Sequence, residues 1–443
     1  MINSTKMKIL IVGSGAREHT LAWAVAKSPD VEKIYVAPGN GGIRNLGSIA
    51  ECVPISAINI DALLAFAKEK HIDLTIVGPE QPLEHGIANR FHEEKLNIIA
   101  PTQQAAQLET SKAFAKQFMQ WHKIPTAGFQ TFQSHQRAKA FIEQQTVFPI
   151  VIKASGLASG KGVVIAEDKV SALKTLEAFF EEKIFGAAAN EVVIEEFMQG
   201  EEASVFVITD GVNYVVLPTA QDHKRIGDGD TGKNTGGMGA YSPAPIVTPD
   251  VMEKVKTRII EPTLRGMAAE GNLYQGFLYV GLMIENGDPK VVEFNARLGD
   301  PETEVVIPLL KKPLLPILQA CAAGALGSIE VNFSSKSAAA VVMASKGYPD
   351  GYETGKVITG ECHFDDGKCA LDVSGEVYVF HAGTKFENGK LYTAGGRVLA
   401  VTAVSDTLEL AIKDAYEAVS QIHFDGAYYR TDIGAKGLKQ RAR

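Results

Sequence analysis

The stretch that most limits what this chain can become is residues 277–304, FLYVGLMIENGDPKVVEFNARLGDPETE. Two apolar runs, 277–285 and 290–296, flank Asn286-Gly287-Asp288-Pro289, which is the turn chemistry of a β-hairpin. Side chains alternate along a strand, so Glu293, Asn295 and Arg297 fall on one face and Phe294 and Ala296 on the other. A carboxylate, an amide oxygen and a guanidinium thus stand in one row. Hard divalent cations such as Mg²⁺ take oxygen ligands and share them with phosphates. An arginine farther along the row suits a phosphate or carboxylate. An exposed polar strand face with an ion pair would show the same spacing. The row, however, runs straight into Leu298-Gly299-Asp300-Pro301-Glu302-Thr303-Glu304, a second polar cluster at a strand-to-helix turn, and this favours a site.

The start of the chain limits the fold in another way. Residues 8–12 form a short apolar run that ends in Gly13-Ser14-Gly15-Ala16-Arg17-Glu18-His19 and continues as an amphipathic helix through Lys27. Strand, glycine turn and helix open a doubly wound α/β unit whose turn faces an anion. Residues 34–37, 73–77 and 98–100 read as its further strands, giving an N-terminal parallel-sheet domain over 7–101. A dinucleotide site would need glycine where Glu18 stands and an acid after the second strand, where Pro38-Gly39-Asn40-Gly41 lies. Both departures oppose a nicotinamide-dependent oxidoreductase. What remains is a phosphorylated substrate at Gly13, Gly15 and Arg17, or a purely structural turn.

A chain of 443 residues needs three or four such units. Its net charge of −8, with both signs interspersed, gives no footprint for nucleic acid or an anionic membrane, so any anionic ligand must be held by local charges. Cys52, Cys321, Cys362 and Cys369 form no C-x-x-C pair and read as reduced thiols. MINSTKMKILIVGSG lacks a signal-peptide pattern, and no apolar run approaches the ~20 residues that span a bilayer. A cytoplasmic, monomeric enzyme without membrane or nucleic-acid partners is the expectation.

In the middle of the chain, a helix from Ser111 precedes a small α/β segment at about 125–194. There a strand carrying Lys153 runs into Ser155-Gly156-Leu157-Ala158-Ser159-Gly160-Lys161-Gly162 and returns as a strand over 163–166. A glycine-rich loop of this kind closes its backbone N–H groups over phosphates. It is not a Walker A sequence, and neither is GDGDTGKN at 227–234, where Asn234 replaces the hydroxyl residue. Glu195-Glu196-Phe197 and Glu202 place acids beside an apolar pair, which suits an adenine edge and ribose hydroxyls or simply an acidic turn. Residues 219–245, with Asp222, His223, Lys224 and Arg225, read as one long glycine-rich loop, and loops beyond ~12–15 residues in compact domains are usually functional or disordered. A helix is expected over 248–271. After 330 the chain reads as a small α+β domain with strands at 338–344, 376–381 and 398–404, a hairpin at Asn388-Gly389, a helix at 406–422 and a structural His381.

Taken in order, Ser111-Lys112-Ala113-Phe114, the Lys153 strand with its glycine lid, Glu195-Glu196-Phe197, Gln221-Asp222-His223-Lys224-Arg225, NTGGMGAY at 234–241 and Glu293-Phe294-Asn295-x-Arg297 resemble the ATP-grasp superfamily. Within it, the chain resembles the phosphoribosylamine–glycine ligase (glycinamide ribonucleotide synthetase) family end to end, through His381-Ala382-Gly383-Thr384 and Gly395-Gly396-Arg397-Val398. The resemblance implies an ATP-grasp core over 102–329 and ligation of glycine to 5-phosphoribosylamine with ATP as co-substrate, through an acyl phosphate. By the same resemblance, Lys112, Lys153, Gly156, Ser159, Gly160, Lys161 and Gly162 would hold phosphates. Glu195, Glu196, Phe197 and Glu202 would hold adenosine, and Glu293 and Asn295 would bind Mg²⁺, or Mn²⁺ in its place. Arg297 would steady acyl-phosphate oxygens, Asp222 with Gly299 and Asp300 would receive glycine, and Gly13, Gly15 and Arg17 would face the ribose phosphate. Lys153, Asp222 and Arg297 are the expected catalytic residues. Ser155, Ala296, Leu298 and Glu304 depart from the family pattern, Glu304 standing where glutamine is common. The alternatives are another ATP-grasp ligase of purine metabolism, for which the Gln221–Arg225 and 234–241 motifs are the wrong ones, and a non-catalytic nucleotide-binding module, which would not need the Glu293, Asn295, Arg297 row.

Overall fold

Met7–Gly13 sits in the middle of a five-stranded parallel sheet because its apolar run serves two faces at once: Ile9 and Ile11 enter one core, Leu10 and Val12 the other. The strand order is Ala50–Cys52, Val31–Pro38, Met7–Gly13, Leu74–Val77, Ile98–Ile99. The computed structural model describes residues 6–158, 161–360, 364–365, 368–369 and 375–441. The carboxyl end of Met7–Gly13 opens at the glycine turn, where a doubly wound sheet presents its ligands.

Among the described residues five further sheets make up the rest. A lid of four antiparallel strands, ordered Phe129–Phe132, Val192–Glu196, Ile150–Ala154, Val163–Ala166, packs helices His135–Gln144 and Lys169–Phe180 over a small core of its own. The central sheet is Tyr214–Val216, Glu201–Thr209, Gly276–Glu285, Asp288–Asn295. Its hairpin closes in two residues, Asn286 at φ 51° and Gly287 at φ 74°, with Glu285 opposite Asp288. Two positive-φ residues match the twist of the strands they join. Asp288 and Pro289, expected in the turn, therefore belong to the strand, and the edge position tolerates a proline without an N–H.

The segment 219–245 is not one loop. Gln221–Asp222 and Gly239–Ser242 join a seven-stranded sheet through Ser337–Ala344, and Arg225–Gly227 pairs with Thr231–Asn234 as a hairpin. Ser337–Ala344 is buried along its whole length, so each of its backbone polar groups needs a partner, and the glycine-rich segment supplies them. The same sheet continues through Arg397–Ser405 and Glu376–His381. Helix Leu408–Val419 lies on it through Ala411, Ala415 and Ala418.

The helix expected over 248–271 is interrupted. Pro249–Val255 and Glu261–Ala269 flank a wider turn at Lys256–Ile260, where the Glu261 N–H reaches back to the Lys256 carbonyl. Pro262 has no N–H to continue the ordinary ladder, and the helix widens there rather than breaking. Asn388 and Gly389, both at positive φ, close the expected hairpin between Thr384–Glu387 and Lys390–Thr393. Trp23, on helix Ala16–Ala26, stacks edge-on against Tyr378 at 4.7 Å and Phe380 at 5.5 Å, so the first sheet and the last share one core. Among the described residues no helix is long and apolar enough to cross a membrane.

Candidate active site

A cleft of about 1650 Å³ opens where the glycine turn, the lid and the central sheet meet. On the lid side, Lys153 leaves its strand beside Glu195 on the neighbouring one. The Lys153 ammonium lies 3.0 Å from one Glu195 oxygen, and Lys116 lies 3.1 Å from the other. Glu195 thus lines the cleft as the hub of two lysines, with its carboxylate already engaged, rather than as an adenine-facing group. Burial lowers the Lys116 pKa to about 8 against the pull of Glu195, with Lys153 adding to the fall. Lys116 was missed in the sequence, although it sits one helical turn after Lys112, on the same face.

Lys112 starts that helix, and its ammonium donates to the Gly156 carbonyl at 3.3 Å. Burial lowers its pKa, with Glu293 opposing. Gly156 itself packs against Ala188, behind the lining, and presents its carbonyl, not its N–H, to Lys112. Ser155 accepts the Ala113 N–H at 3.1 Å, which ties the end of the lid strand to the lysine helix. Leu157, Lys161 and Gly162 line the cleft, whereas Ser159 and Gly160 lie outside the described residues. Glu196, Phe197 and Glu202 form the mouth, Phe197 exposed and Glu202 paired with Lys224 at 2.7 Å.

Across the cleft, a bulge in the central hairpin sets Gly281 opposite Glu293 but Leu282 opposite Val291, so Val292 is the extra residue. Such a bulge re-aims the side chains that follow it. Glu293, Asn295 and Arg297 all line the cleft. Burial raises the Glu293 carboxyl, but Lys224, Lys153, Lys112 and Arg297 together hold it below the usual range. Among the described residues, Glu293 closes no ion pair and Asn295 makes no side-chain hydrogen bond. An ionised carboxylate and an amide oxygen thus face the cleft, ligand types that a hard divalent cation takes. Among the described residues no three His, Cys, Asp or Glu side chains gather as a metal site. Arg297 is fixed by Glu109 at 3.0 Å and Glu80 at 3.5 Å, and Glu109 also accepts the Ala296 N–H at 2.7 Å. Neither acid stood out in the sequence, since each reaches Arg297 from a distant segment.

The third corner gathers Asp222, Gly237, Asp300 and Glu302. A Cβ on Gly237, which sits at φ +108°, would fall 2.4 Å from Pro301 and 2.8 Å from Asp222, so only glycine lets these segments meet. Burial and the neighbouring Glu302 push the Asp222 carboxyl well up, and one of its oxygens is buried without a hydrogen-bond partner. His223, beside it, is structural: burial lowers its pKa to about 4, and its ring takes the Gly434 N–H at 3.3 Å. At the glycine turn, Glu18 accepts the Gly15 N–H at 2.5 Å and pairs with Arg17 at 2.6 Å. The Glu18 side chain fills the space between Gly13 and Gly78, which corrects the expectation of an open backbone cradle: Gly15 has no N–H left for a phosphate. Gly13, Gly15 and Arg17 still line the cleft, with Arg17 donating to the Leu298 carbonyl at 3.1 Å.

The pattern of the phosphoribosylglycinamide synthetase N domain matches residues 7–109, that of its ATP-grasp domain residues 110–303, and that of its C domain residues 338–436. The chain belongs to the phosphoribosylglycinamide synthetase family. Phosphoribosylamine–glycine ligase of Chlorobaculum tepidum is 57% identical over 432 residues, covering 98% of this chain and 100% of that one. The Vibrio cholerae ligase is 48% identical over 433 residues, covering 98% and 99%. Among solved structures, phosphoribosylamine–glycine ligase of Thermotoga maritima aligns at TM-score 0.81 with 35% identity, over 96% of this chain and 99% of that one.

One position sets this member of the synthetase family a test. Glu304 is fully buried, neither of its oxygens has a hydrogen-bond partner, and burial with the nearby Asp300 pushes its carboxyl well up. A carboxyl whose folded pKa is raised holds its proton more tightly folded than unfolded, so its contribution to stability falls as pH rises through the unfolded value of about 4.3. Glutamine does not titrate. The melting temperature of Glu304→Gln is expected to gain on the parent as pH rises above that unfolded value. Melting curves that stay parallel over that rise would show that Glu304 is not held protonated.

Proposed function

We propose that this chain catalyses the ATP-dependent ligation of glycine to 5-phosphoribosylamine, giving glycinamide ribonucleotide, ADP and phosphate, the second step of purine (IMP) biosynthesis. The observation that carries the reading is the third corner of the cleft. The half-buried Asp222 and the buried Glu302 stand beside Lys224, a setting that suits a small zwitterion, its ammonium on the acids and its carboxylate toward the lysine. The names of the relatives, glycine ligases across nearly their whole length, support the same substrate.

In the proposed chemistry a glycine carboxylate oxygen attacks the γ-phosphorus, ADP leaves, and glycyl phosphate forms. The amine of phosphoribosylamine then attacks the acyl carbon, the C–N bond forms, phosphate departs and the nitrogen loses a proton. Such steps ask for positioning and charge neutralisation rather than a protein nucleophile. Lys112, Lys153, Lys161 and Gly162 hold the phosphates, and Glu196, Phe197 and Glu202 hold adenosine at the mouth. Arg297, locked by Glu80 and Glu109, meets the acyl-phosphate oxygens. Asp222 with Gly299 and Asp300 receives glycine, and Arg17 faces the ribose phosphate. Glu293 and Asn295 would hold Mg²⁺, or Mn²⁺ in its place, which when bound neutralises phosphate charge.

The test is ADP release by the purified protein with Mg-ATP and glycine, with and without freshly generated 5-phosphoribosylamine. ADP formation that requires both substrates is expected. ADP formation that requires neither glycine nor the amine would move the chain to another ATP-grasp ligase, and no ADP under any condition would leave a nucleotide-binding module.

A further inference from the structure

We infer that Arg397, contributed by the C-terminal domain, is a positioning residue that ties the Asp300 turn to the Gly236–Gly237 segment beside Asp222 and so shapes the glycine pocket. Its guanidinium donates from one nitrogen to the Asp300 carbonyl at 2.7 Å and to the Gly236 carbonyl at 2.5 Å, and from the other to the Asp300 carboxylate at 3.0 Å. The Gly237 carbonyl lies 3.4 Å from the same group. A flat fork with five fixed donors is the side chain suited to hold a carboxylate and two carbonyls at once, which a lysine ammonium does only in part.

What those contacts join gives them meaning. Gly236 and Gly237 belong to the segment whose close approach to Asp222 only glycine allows, and Asp300 sits on the turn that follows the Glu293–Arg297 row. The second carboxylate oxygen of Asp300 faces Gly15 in the N-terminal domain, where a Cβ would come within 3.0 Å. Arg397 itself begins the strand Arg397–Ser405 of the seven-stranded sheet, and Tyr348, from the same region, donates nothing to it but accepts the Gly236 N–H at 2.9 Å. Gly236 is thus held on both of its backbone groups by the C-terminal domain. Without the guanidinium, the Asp300 carboxylate and the Asp300 and Gly236 carbonyls lose their common partner, and the Asp300 turn is held less firmly against the segment beside Asp222. No contact in the set reaches the lysine row that faces the nucleotide, so the pocket for the amino acid should loosen while that for ATP keeps its form.

The inference rests on the reading that Asp222, Gly299 and Asp300 take glycine, and the experiment separates the two. Steady-state ADP formation is measured with the full-length parent, Arg397→Ala and Arg397→Lys, varying glycine and ATP in turn, with melting temperatures recorded alongside. In Arg397→Ala the KM for glycine is expected to rise about tenfold or more while the KM for ATP stays within twofold, and Arg397→Lys should recover part of the loss. A KM for glycine that does not move, or KM values for glycine and ATP that rise together, would overturn the positioning role. If Arg397→Ala does not fold, Arg397→Lys decides alone: a selective rise of about threefold or more in the KM for glycine supports the role and no selective rise overturns it. A parent enzyme whose ADP formation ignores glycine would instead refute the substrate reading and the inference with it.

Discussion

Replacing Lys153 with methionine is expected to raise the KM for ATP about 10- to 100-fold, the range of one lost charge-assisted hydrogen bond of about 1.5–3 kcal/mol. Methionine fills nearly the same volume, so the lid strand should keep its packing. The competing effect is on stability. Lys153 is buried and pairs with Glu195, and removing one partner of a buried ion pair costs about 3–5 kcal/mol when the other is left bare. Glu195 is not left bare, because Lys116 stays at 3.1 Å on its second oxygen. The fold should therefore survive, and with one lysine gone the Lys116 ammonium is expected to titrate above its parent value of about 8. Calorimetric titration of ADP and ATP into the variant decides the matter. Unchanged nucleotide affinity in a folded Lys153→Met protein would remove the lysine from the phosphate site.

The sequence was most informative where one local rule suffices. The unbroken apolar run at Ile9–Val12 announced a strand buried on two faces, and Asn286-Gly287 and Asn388-Gly389 announced their hairpins, because positive φ is a property of the residues themselves. The alternation that put Glu293, Asn295 and Arg297 in one row needs only the strand period, although the bulge at Val292 that aims the row could not be foreseen. What stayed hidden depends on partners far away in the chain. Glu201–Thr209 opens on two acids that also suit the end of an acidic turn, yet in the fold it is central to its sheet, between Gly276–Glu285 and Tyr214–Val216. The glycine-rich segment 219–245 looked unstructured because its glycines carry no strand propensity; the open edge of Ser337–Ala344 draws it into pairing. Glu80, Glu109 and Lys116 became part of the cleft only once tertiary contacts placed them around Arg297 and Glu195. Lys116 alone had a usable local signal, its spacing from Lys112. At the Gly13–Gly15 turn a motif-level expectation failed for a reason visible in one side chain. Glu18, which already argued against a dinucleotide, also takes the Gly15 N–H that a phosphate would use.

Glu293→Gln should be the most damaging single change to turnover. The substitution keeps the shape of the side chain and removes one charge from a position where Lys224, Lys153, Lys112 and Arg297 converge. Three of those cations keep other partners: Lys224 holds Glu202, Lys153 holds Glu195, and Arg297 holds Glu109 and Glu80. Lys112 keeps the Gly156 carbonyl. Loss of fold is therefore not the expected result, and the melting temperature should shift by only a few degrees, about the effect of 1 kcal/mol. Turnover is another matter. A neutral amide binds a divalent cation far less well than a carboxylate, and charge on the transferring phosphoryl group is then left without several kcal/mol of stabilisation. We expect kcat to fall at least about 100-fold, with the Mg²⁺ concentration for half-maximal ADP formation displaced upward. The decisive measurement is a Mg²⁺ titration of ADP formation in parent and variant at saturating ATP and glycine. A variant that matches the parent in both kcat and Mg²⁺ dependence would place the metal away from Glu293 and leave the row of three side chains as a structural face of the hairpin.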